Sequence, residues 1–542
     1  MAGGSNREGK GLPPEGETGT FHLQVCEWDR LSYYFVLAGA VAHPETPACH
    51  LMPISPTHLI RCAVLVPILL LSPPPGSGQE VDPQVYRVDA PAPEGLDREA
   101  AARETRAILE DLIRIDTQNP PGNELAAARY FEELFGDLEG VEVHIHETAP
   151  ERANFVARLS AESPTRAPVI VMGHIDVVGA DPEAWTTPPF EPTERGDYLY
   201  GRGTIDDKGM LAAAAVVFRL LARDRAALQR DVIFLATADE ETGGAEGIWA
   251  LLEERPELID DAEFVLNEGG RIRVGDGRVR TVNIQTVEKV PYNVRVRASG
   301  VSGHGSVPLP DNALAALARA VNRVHEWRPP VRLNETTRLY FERLAEVEED
   351  PDVRAAMEGI SSATDPQEVD RHARVLQEDP LHNAILRTGA SLTMIEGGFR
   401  SNVIPSEGEA TFNVRILPEE DIREVVTEMQ RIGGEPSVTF ELVGDPVEDV
   451  PETSPVDTDL FRAMQTAAEI MAPDAVVMPF MSTGATDAQA TRGAGIPTYG
   501  ILPFPLVMED ELRMHGDDER VPIPALAWAT EYIYRVLGEV AR

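Results

Sequence analysis

Apolar and polar residues follow two different periods along this chain, and the two periods separate helices from strands. Apolar residues three and four apart predict a helix over residues 97–115, and a similar spacing predicts a second over 124–137. From residue 168 onward, short apolar runs alternate with amphipathic stretches. The runs predict the strands Pro168–Met172, Val232–Thr237 and Phe264–Leu266, and the stretches predict the helices Lys208–Arg223 and Ala245–Glu254. This alternation predicts an α/β fold with helices on both faces of a sheet.

The spacing changes near residue 290, where apolar and polar residues alternate one by one, as in antiparallel strands. The predicted strands are Asn293–Ala298, Ser391–Ile395, Glu409–Ile416 and Ser437–Leu442, with a helix Ala313–Trp327 and a charged helical stretch over 340–385. The α/β pattern then returns with the helix Asp459–Met471, the strand Pro497–Ile501 and the helix Pro524–Leu537. We therefore predict a main domain in two parts, 95–289 and 448–542, with an α+β domain, 290–447, inserted into it.

A short apolar run near the amino terminus is typical of a secretory signal. Residues 63–71 are apolar, Arg61 precedes them, and small residues follow at Gly76 and Gly78. The run is too short to span a bilayer. A start at Met52 would give a signal of normal length, so we predict an upstream extension over 1–51, a signal peptide over 52–78 and an exported mature protein. The alternative is a buried strand behind a disordered tail.

Charge and cysteine content exclude several classes of protein. The 542 residues carry a formal net charge of −42, which argues against nucleic acid and anionic membranes as partners. We also expect no stable membrane insertion after processing of the signal. The three cysteines are Cys26, Cys49 and Cys62, all near the amino terminus. A disulfide framework and a thiolate metal site are therefore excluded from the main body, where only His, Asp and Glu could hold a metal.

Histidines and carboxylates follow several predicted strands at the places where an open α/β sheet binds its ligands. They are His174 and Asp176 after the first strand, Asp206 before the Ala-rich helix, Asp239, Glu240 and Glu241 after the second strand, Glu268 after the third, and His515 in a late loop. Each alone has an ordinary interpretation, and we expect Asp207 to be only a helix N-cap. Together they are the inventory of a two-metal hydrolase, for which zinc, cobalt and manganese all fit.

These motifs resemble a known family over roughly residues 100–540. It is the dizinc metallopeptidase family of glutamate carboxypeptidase, aminoacylase, acetylornithine deacetylase, succinyl-diaminopimelate desuccinylase and yeast carboxypeptidase S. The motifs that carry the resemblance are His174-x-Asp176, Gly201-Arg202-Gly203-x-x-Asp206-x-Lys208-Gly209, Asp239-Glu240-Glu241, Ser302-Gly303-His304-Gly305-Ser306-x-Pro308, and Asn402-Val403-Ile404-Pro405 with Arg415 beyond. The long stretch over about 330–388 is most similar to the carboxypeptidase S branch.

The resemblance implies a role for each matching residue. His174 and Glu268 would hold one zinc ion, Glu241 and His515 the other, and Asp206 would bridge the two. Glu240 would be the general base, and Asp176 would orient His174. His304 would stabilise the oxyanion, and in many relatives it comes from the partner subunit. Asn402 and Arg415 match positions associated with the substrate's carboxylate, which a guanidinium can bind through two hydrogen bonds.

The resemblance also implies a fold and an activity. The fold is a zinc-exopeptidase-like catalytic domain, with a mixed sheet flanked by helices, and an inserted α+β lid or dimerisation domain. The expected reaction is hydrolysis of an amide bond next to a free carboxylate, in a small peptide or an N-acyl amino acid. A biosynthetic deacylase of the acetylornithine or desuccinylase type is the alternative, and an inactive binding module is the alternative of another class. The substrate, the metal and the oligomeric state stay open, and an exposed strand and helix in the lid are compatible with a homodimer.

Overall fold

The computed structural model describes residues 82–447 and 450–542. The predicted signal peptide and the segment before it lie outside the described residues, and export stays a prediction that the amino-terminal residue of the mature protein would test. Within the described ranges, no helix combines the length and the apolar composition needed to cross a bilayer.

Helices cover both ends and the middle of the described chain. In order, they are α1 (Arg98–Arg114), α2 (Glu124–Phe135), α3 (Lys208–Arg223), α4 (Ile248–Glu254), α5 (Ala313–Glu326), α6 (Glu335–Leu344), α7 (Pro351–Ser362), α8 (Pro366–Leu376), α9 (Pro380–Leu386), α10 (Ile422–Gly433), α11 (Asp459–Met471), α12 (Ala488–Gly493), α13 (Met508–Glu511) and α14 (Ile523–Ala541).

Strands alternate with these helices. In order, they are β1 (Val141–Ala149), β2 (Arg152–Leu159), β3 (Val169–His174), β4 (Thr193–Arg195), β5 (Tyr198–Tyr200), β6 (Val232–Thr237), β7 (Phe264–Asn267), β8 (Arg271–Gly275), β9 (Arg278–Glu288), β10 (Val290–Ser299), β11 (Gly303–His304), β12 (Gly389–Gly397), β13 (Val403–Ile404), β14 (Glu407–Ile416), β15 (Val438–Val443), β16 (Val476–Ser482), β17 (Thr498–Gly500), β18 (Pro505–Leu506) and β19 (Arg520–Pro522).

A ten-stranded mixed sheet forms the centre of the main domain. Its order is β1-β2-β6-β3-β7-β17-β9-β8-β18, with β16 pairing to β9. The central strand β3 lies parallel to both β6 and β7. Its successive side chains enter opposite cores, since Val169 and Val171 pack with α1, α3, α11 and α14 while Ile170 and Met172 pack with α4 and α12. The predicted α/β sheet with helices on both faces is confirmed.

A separate antiparallel sheet lies within residues 290–447. Its order is β12-β14-β10-β15, and α5 and α10 cover one of its faces. Along β10, buried Val294 and Val296 alternate with exposed Asn293 and Arg297, which is the pattern that predicted an antiparallel strand. A single residue, Lys289, connects β9 of the main sheet to β10 of this sheet. The two sheets are therefore joined by a very short link at this point.

The helical stretch α6–α9 packs in a different place from the one that its position in the sequence suggested. Its apolar residues, including Phe341 and Met357, share a core with Val287 of β9 and with Phe480 of β16. These helices therefore pack on the main domain, although they lie within the range predicted for the inserted domain. Helices predicted by periodicity alone are confirmed to within four residues, and the largest differences are that α4 begins at Ile248 rather than Ala245 and that α14 ends at Ala541 rather than Leu537.

Candidate metal centre

The candidate site lies where three parallel strands of the main sheet end. His174 is the last residue of β3, Glu268 directly follows β7, and Glu240 and Glu241 follow β6 in a single 3₁₀ turn. Since β6, β3 and β7 are neighbours and run in the same direction, their carboxyl ends share one edge of the sheet. The sequence motifs are thereby brought together without any unusual connection.

Two histidines and two carboxylates form a contiguous cluster at this edge. The Nε2 atom of His174 lies 3.0 Å from Oδ1 of Asp206, and Nε2 of His515 lies 3.1 Å from Oδ2 of the same aspartate. The second histidine also lies 3.3 Å from Oε2 of Glu241. Asp206 thus holds one imidazole on each carboxylate oxygen, which is the geometry of a bridging ligand. Ligand atoms of His174, Asp206 and Glu241 all lie within 4.8 Å of one another.

Glu519 holds the loop that presents Asp206. Its buried carboxylate accepts hydrogen bonds from the main-chain N–H groups of Gly203 (2.9 Å), Ile205 (2.7 Å) and Asp206 (3.2 Å). Arg202 donates to Oε2 of Glu519 at 2.7 Å and to the carbonyl of Gly516 at 2.8 Å. The Arg202–Glu519 ion pair therefore ties the Asp206 loop to the loop that carries His515.

Asp176 organises the acidic turn and also orients His174. Its two carboxylate oxygens accept the main-chain N–H groups of Glu240 (3.1 Å) and Glu241 (3.2 Å). The Nδ1 atom of His174 lies 2.9 Å from the main-chain carbonyl of Asp176 and 3.6 Å from its carboxylate. The main-chain carbonyl of Asp176 therefore orients the imidazole of His174, whereas the side chain of Asp176 was the expected partner. Buried Asn119 donates to Asp176 at 2.8 Å and to Asp239 at 3.0 Å.

The pKa values at the site show an excess of buried negative charge. Burial, together with the nearby Asp206 carboxylate, raises the pKa of Glu268 to about 8. Burial and neighbouring carboxylates also raise the pKa of Glu240 well above its ordinary value. Hydrogen bonds to Asp206 and Glu241 raise the pKa of His515 to about 10. Raised pKa values of this kind mean that the local negative charge favours bound cations. The carboxylate oxygen and imidazole nitrogen atoms are ligands that fit divalent metal ions such as zinc.

A cavity of about 550 Å³ opens onto the cluster. Its lining includes the metal-site residues Asp206, Glu240, Glu241, Glu268 and His515, together with Arg271, Arg415, Leu512, Met514 and the segment around Thr486. Arg415 lies on β14 of the inserted domain and faces Pro291 across the sheet. Its Nε donates to Asn413 at 2.9 Å, and burial lowers the pKa of its guanidinium. A half-buried cation thus faces the acidic cluster from the inserted domain.

Four of the predicted site residues are not part of this cavity lining: His174 and Asp176 lie buried directly behind it, and His304 and Asn402 lie apart from the site. His304 and Asn402 are exposed, and they lie close together because β11 pairs with β13 and the N–H of Gly305 donates to the carbonyl of Asn402 at 2.7 Å. The imidazole Nδ1 of His304 lies 2.8 Å from the hydroxyl of Ser306. Within one chain, the structure therefore brings eight of the ten predicted residues to the site and leaves this pair on the inserted domain.

One further aspartate, Asp207, and two further histidines lie outside the metal cluster. Asp207 stands at the N-cap position of α3, but its side chain makes no capping hydrogen bond, so the N-cap interpretation is wrong. The buried side chain of Asp207 packs against Gly173. A Cβ atom at position 173 would lie only 2.2 Å from the Oδ2 atom of Asp207. His144 and His146 lie on β1 beside Glu142 and Glu254, away from the cluster.

Sequence reasoning missed the residues that support the site. Glu519 and Asn119 were not singled out, and Arg202 was noted only as part of a motif. Buried Asp487 was not singled out either; it accepts a 2.6 Å hydrogen bond from Thr237 at the end of β6, and burial raises its pKa to about 7. No local pattern indicates the ion pair, because Arg202 and Glu519 lie 317 residues apart in the sequence.

Fold and site together define a class of protein. A mixed α/β sheet carries imidazole and carboxylate ligands at its carboxyl edge, and a second domain supplies a cation to the same cavity. This arrangement is that of a metal-dependent hydrolase.

A family comparison agrees with this class. The family described as Peptidase family M20/M25/M40 matches residues 170–539, more than half of the chain. The chain therefore belongs to this family, which confirms the resemblance and makes the protein an enzyme that hydrolyses amide bonds.

Individual relatives cover most of the chain. The N-fatty-acyl-amino acid synthase/hydrolase PM20D1 of Homo sapiens is 28% identical over 418 residues, covering 76% of this chain and 81% of the relative. The probable carboxypeptidase S-like 2 of Dictyostelium discoideum is 30% identical over 384 residues, covering 68% and 71%. The crystal structure of the M20 family metallo-carboxypeptidase Sso-CP2 from Sulfolobus solfataricus matches with a TM-score of 0.60 at 19% identity, covering 80% of this chain and 99% of that one. The last similarity shows the fold alone.

Proposed function

We propose that the enzyme binds two zinc ions and hydrolyses an amide bond adjacent to a free carboxylate. The observation that carries this proposal is one cavity lined by the Arg415 guanidinium and by Asp206 and Glu241, which form a cluster with the buried His174. His174 and Glu268 would hold one ion, and Glu241 and His515 the other, with Asp206 shared between them. Cobalt and manganese are the alternatives that the same donor atoms would accept.

Different side chains of the protein bind the substrate and transfer the proton. When bound, the two cations would supply Lewis-acid activation of the substrate carbonyl and of water. Arg415 binds the free carboxylate and so places the scissile bond over the acidic cluster. Glu240 accepts a proton from the attacking water and passes it to the leaving amine. Asp176 keeps that base in place through the main-chain N–H of Glu240.

The substrate branch that we favour is the N-acyl amino acid. It is supported by the human relative, whose printed name describes an N-fatty-acyl-amino acid synthase/hydrolase. It is also supported by Leu512 and Met514, since these apolar side chains line the cavity beside His515, and Leu512 is 73% exposed to it and to solvent. An apolar wall next to the acidic cluster suits the hydrocarbon part of an acyl group.

Metal content and product release test this proposal together. Residues 79–542 are expected to hold two zinc ions per chain and to release amino acid from N-acyl amino acids. Prolonged dialysis against chelator should remove both the metal and the activity, and zinc should restore both. Dipeptides tested in parallel would identify a peptidase instead. Purified protein that binds no divalent metal would contradict the site assignment itself.

We further propose a homodimer in which His304 serves the cavity of the partner subunit. The support is that β12 is an edge strand of the inserted sheet, with Met394 and Ile395 55% and 58% exposed, and that such edges pair readily with a second chain. His304, on the same domain, lies outside its own cavity lining. Completion in trans would bring this imidazole to the reacting carbonyl.

Mixing two inactive variants tests completion in trans. His304→Ala keeps an intact metal centre, and Glu240→Gln keeps an intact His304. We expect the mixture, after subunit exchange, to recover activity that neither variant has alone, because the mixed dimer contains one complete site. Sedimentation velocity would establish that exchange has taken place. Dimers that exchange without recovering activity would show that His304 acts within its own chain or not at all.

A further inference from the structure

Two guanidinium groups line the cavity. Arg415, on β14, pairs with Pro291 close to the link between the two sheets. Arg271, on β8, lies beside Glu511. The proposed function uses the first guanidinium for the carboxylate beside the scissile bond. It gives no role to the second.

Local contacts hold Arg271 in a fixed orientation without neutralising it. Its Nη1 atom donates to the carbonyls of Gly269 (2.8 Å) and Gly270 (3.0 Å), and its Nε lies 3.6 Å from Oε1 of Glu511. The Glu511 carboxylate already accepts two hydrogen bonds from Arg273, from Nε at 3.0 Å and from Nη2 at 2.9 Å. Among the described residues, no other carboxylate forms an ion pair with Arg271. The guanidinium is therefore oriented toward the cavity and keeps most of its charge.

Charge balance in the loaded cavity leaves this arginine in excess. Three ligand carboxylates and Glu240 carry four negative charges, which two divalent cations would match. Arg273 and Glu511 match each other. Of the charged side chains that line the cavity, Arg271 and Arg415 then remain as two unmatched positive charges. A substrate with a single carboxylate would satisfy only one of them.

We propose that the preferred substrate carries a second anionic group and that Arg271 is the residue that selects it. This inference rests on the proposed function, whose site it shares. A second carboxylate suits the site because guanidinium binds carboxylate with two parallel hydrogen bonds, and because Arg271 has donors left after its bonds to the two glycine carbonyls. The second anion belongs either to the acyl half of the substrate or to the side chain of its amino acid.

Two isosteric pairs of substrates measure this selection and locate the anion. N-acetyl-L-glutamate and N-acetyl-L-glutamine differ only in the side chain, and N-succinyl-L-leucine and N-succinamoyl-L-leucine differ only in the acyl half. We expect the acidic member of one pair to have the higher kcat/KM by about 10-fold or more, as for a charge-assisted hydrogen bond. In Arg271→Gln, the ratio of kcat/KM for the acidic substrate to kcat/KM for the neutral substrate should fall close to one. A change in kcat/KM that affects both substrates equally leaves this ratio unaltered.

Two further variants separate selection from general disturbance. Glu511→Gln removes the negative charge beside Arg271 and should shift the ratio the other way, toward the acidic member. Arg278→Gln removes an exposed arginine outside the cavity and should leave the ratio unchanged. Equal kcat/KM within both pairs, or a ratio that persists in Arg271→Gln, would overturn the proposal.

A binding measurement keeps this inference separate from the proposed reaction. Zinc-loaded Glu240→Gln can be titrated by calorimetry with each of the four compounds, since binding requires no turnover. If wild-type protein cleaves none of them but the variant still binds an acidic member more tightly through Arg271, the proposed reaction fails and the inference stands. Equal affinities within each pair would refute the inference even if hydrolysis occurs.

Discussion

Glu240→Gln is expected to lower kcat by about 10²- to 10⁴-fold, which is the range that a general acid–base group contributes. Glutamine keeps the size of the side chain but cannot accept a proton. The main-chain N–H of residue 240 will still donate to Asp176, so the turn should keep its geometry. Because Glu240 is not among the proposed ligands, the variant should hold as much metal as the wild type. Steady-state kinetics and metal content on the same sample test both parts.

Two neighbouring carboxylates provide the controls for this prediction. Glu241→Gln alters a proposed ligand and should lose metal together with activity. Glu246→Gln changes an acid only a few residues farther along, outside the cavity lining, and should leave both properties close to wild type. A Glu240→Gln enzyme that loses metal would show Glu240 to be a ligand. One that keeps kcat within a few-fold of wild type would show that another group takes the proton.

The chemistry of the site could be predicted from sequence because three of its motifs come at the ends of strands. His174, Glu240 and Glu268 come after apolar runs whose length and composition mark buried strands, and parallel strands deliver their carboxyl ends to one edge. The same reasoning could not place His304, because its position relative to the cavity depends on how the inserted domain is placed. Local sequence carries no information about that geometry.

Other parts of the fold were missed for physical reasons. β9 contains the polar run Thr-Val-Asn-Ile-Gln-Thr, yet it is buried because β16, β17 and β8 surround it and its polar side chains find internal partners such as Glu288. The alternation of polar and apolar residues in this segment is typical of a strand with one exposed face, so it does not indicate that both faces are buried. The helices α6–α9 show the expected periodicity, but periodicity cannot reveal that their apolar face packs on β16 rather than on the inserted sheet. Glu519 is hidden in the same way, because its partners lie more than 300 residues away.

Asp206→Asn is expected to release the metal ions and to abolish measurable hydrolysis. Asp206 has an imidazole within hydrogen-bond distance of each carboxylate oxygen, and these two histidines lower its pKa despite the opposing effect of burial. Asparagine has one oxygen and no charge, so it could serve one side of the site only. Competition with a chelator of known affinity would measure the loss, because the variant should yield its metal at a much lower chelator concentration.

Glu519→Gln gives a graded comparison within the same experiment. Glu519 touches no proposed metal ion but holds the main-chain N–H of Asp206 and pairs with Arg202, so its loss should weaken metal affinity by about 10- to 100-fold, as for other supporting groups behind a metal ligand. Excess zinc should restore activity to Glu519→Gln but not to Asp206→Asn, since only the latter lacks a ligand. The cobalt absorption spectrum of Glu519→Gln should shift if the ligands have moved, which a simple loss of stability would not cause. If Asp206→Asn instead retains both ions with wild-type affinity, Asp206 is not the shared ligand, and the cluster must hold its metals through His174, Glu241, Glu268 and His515 alone.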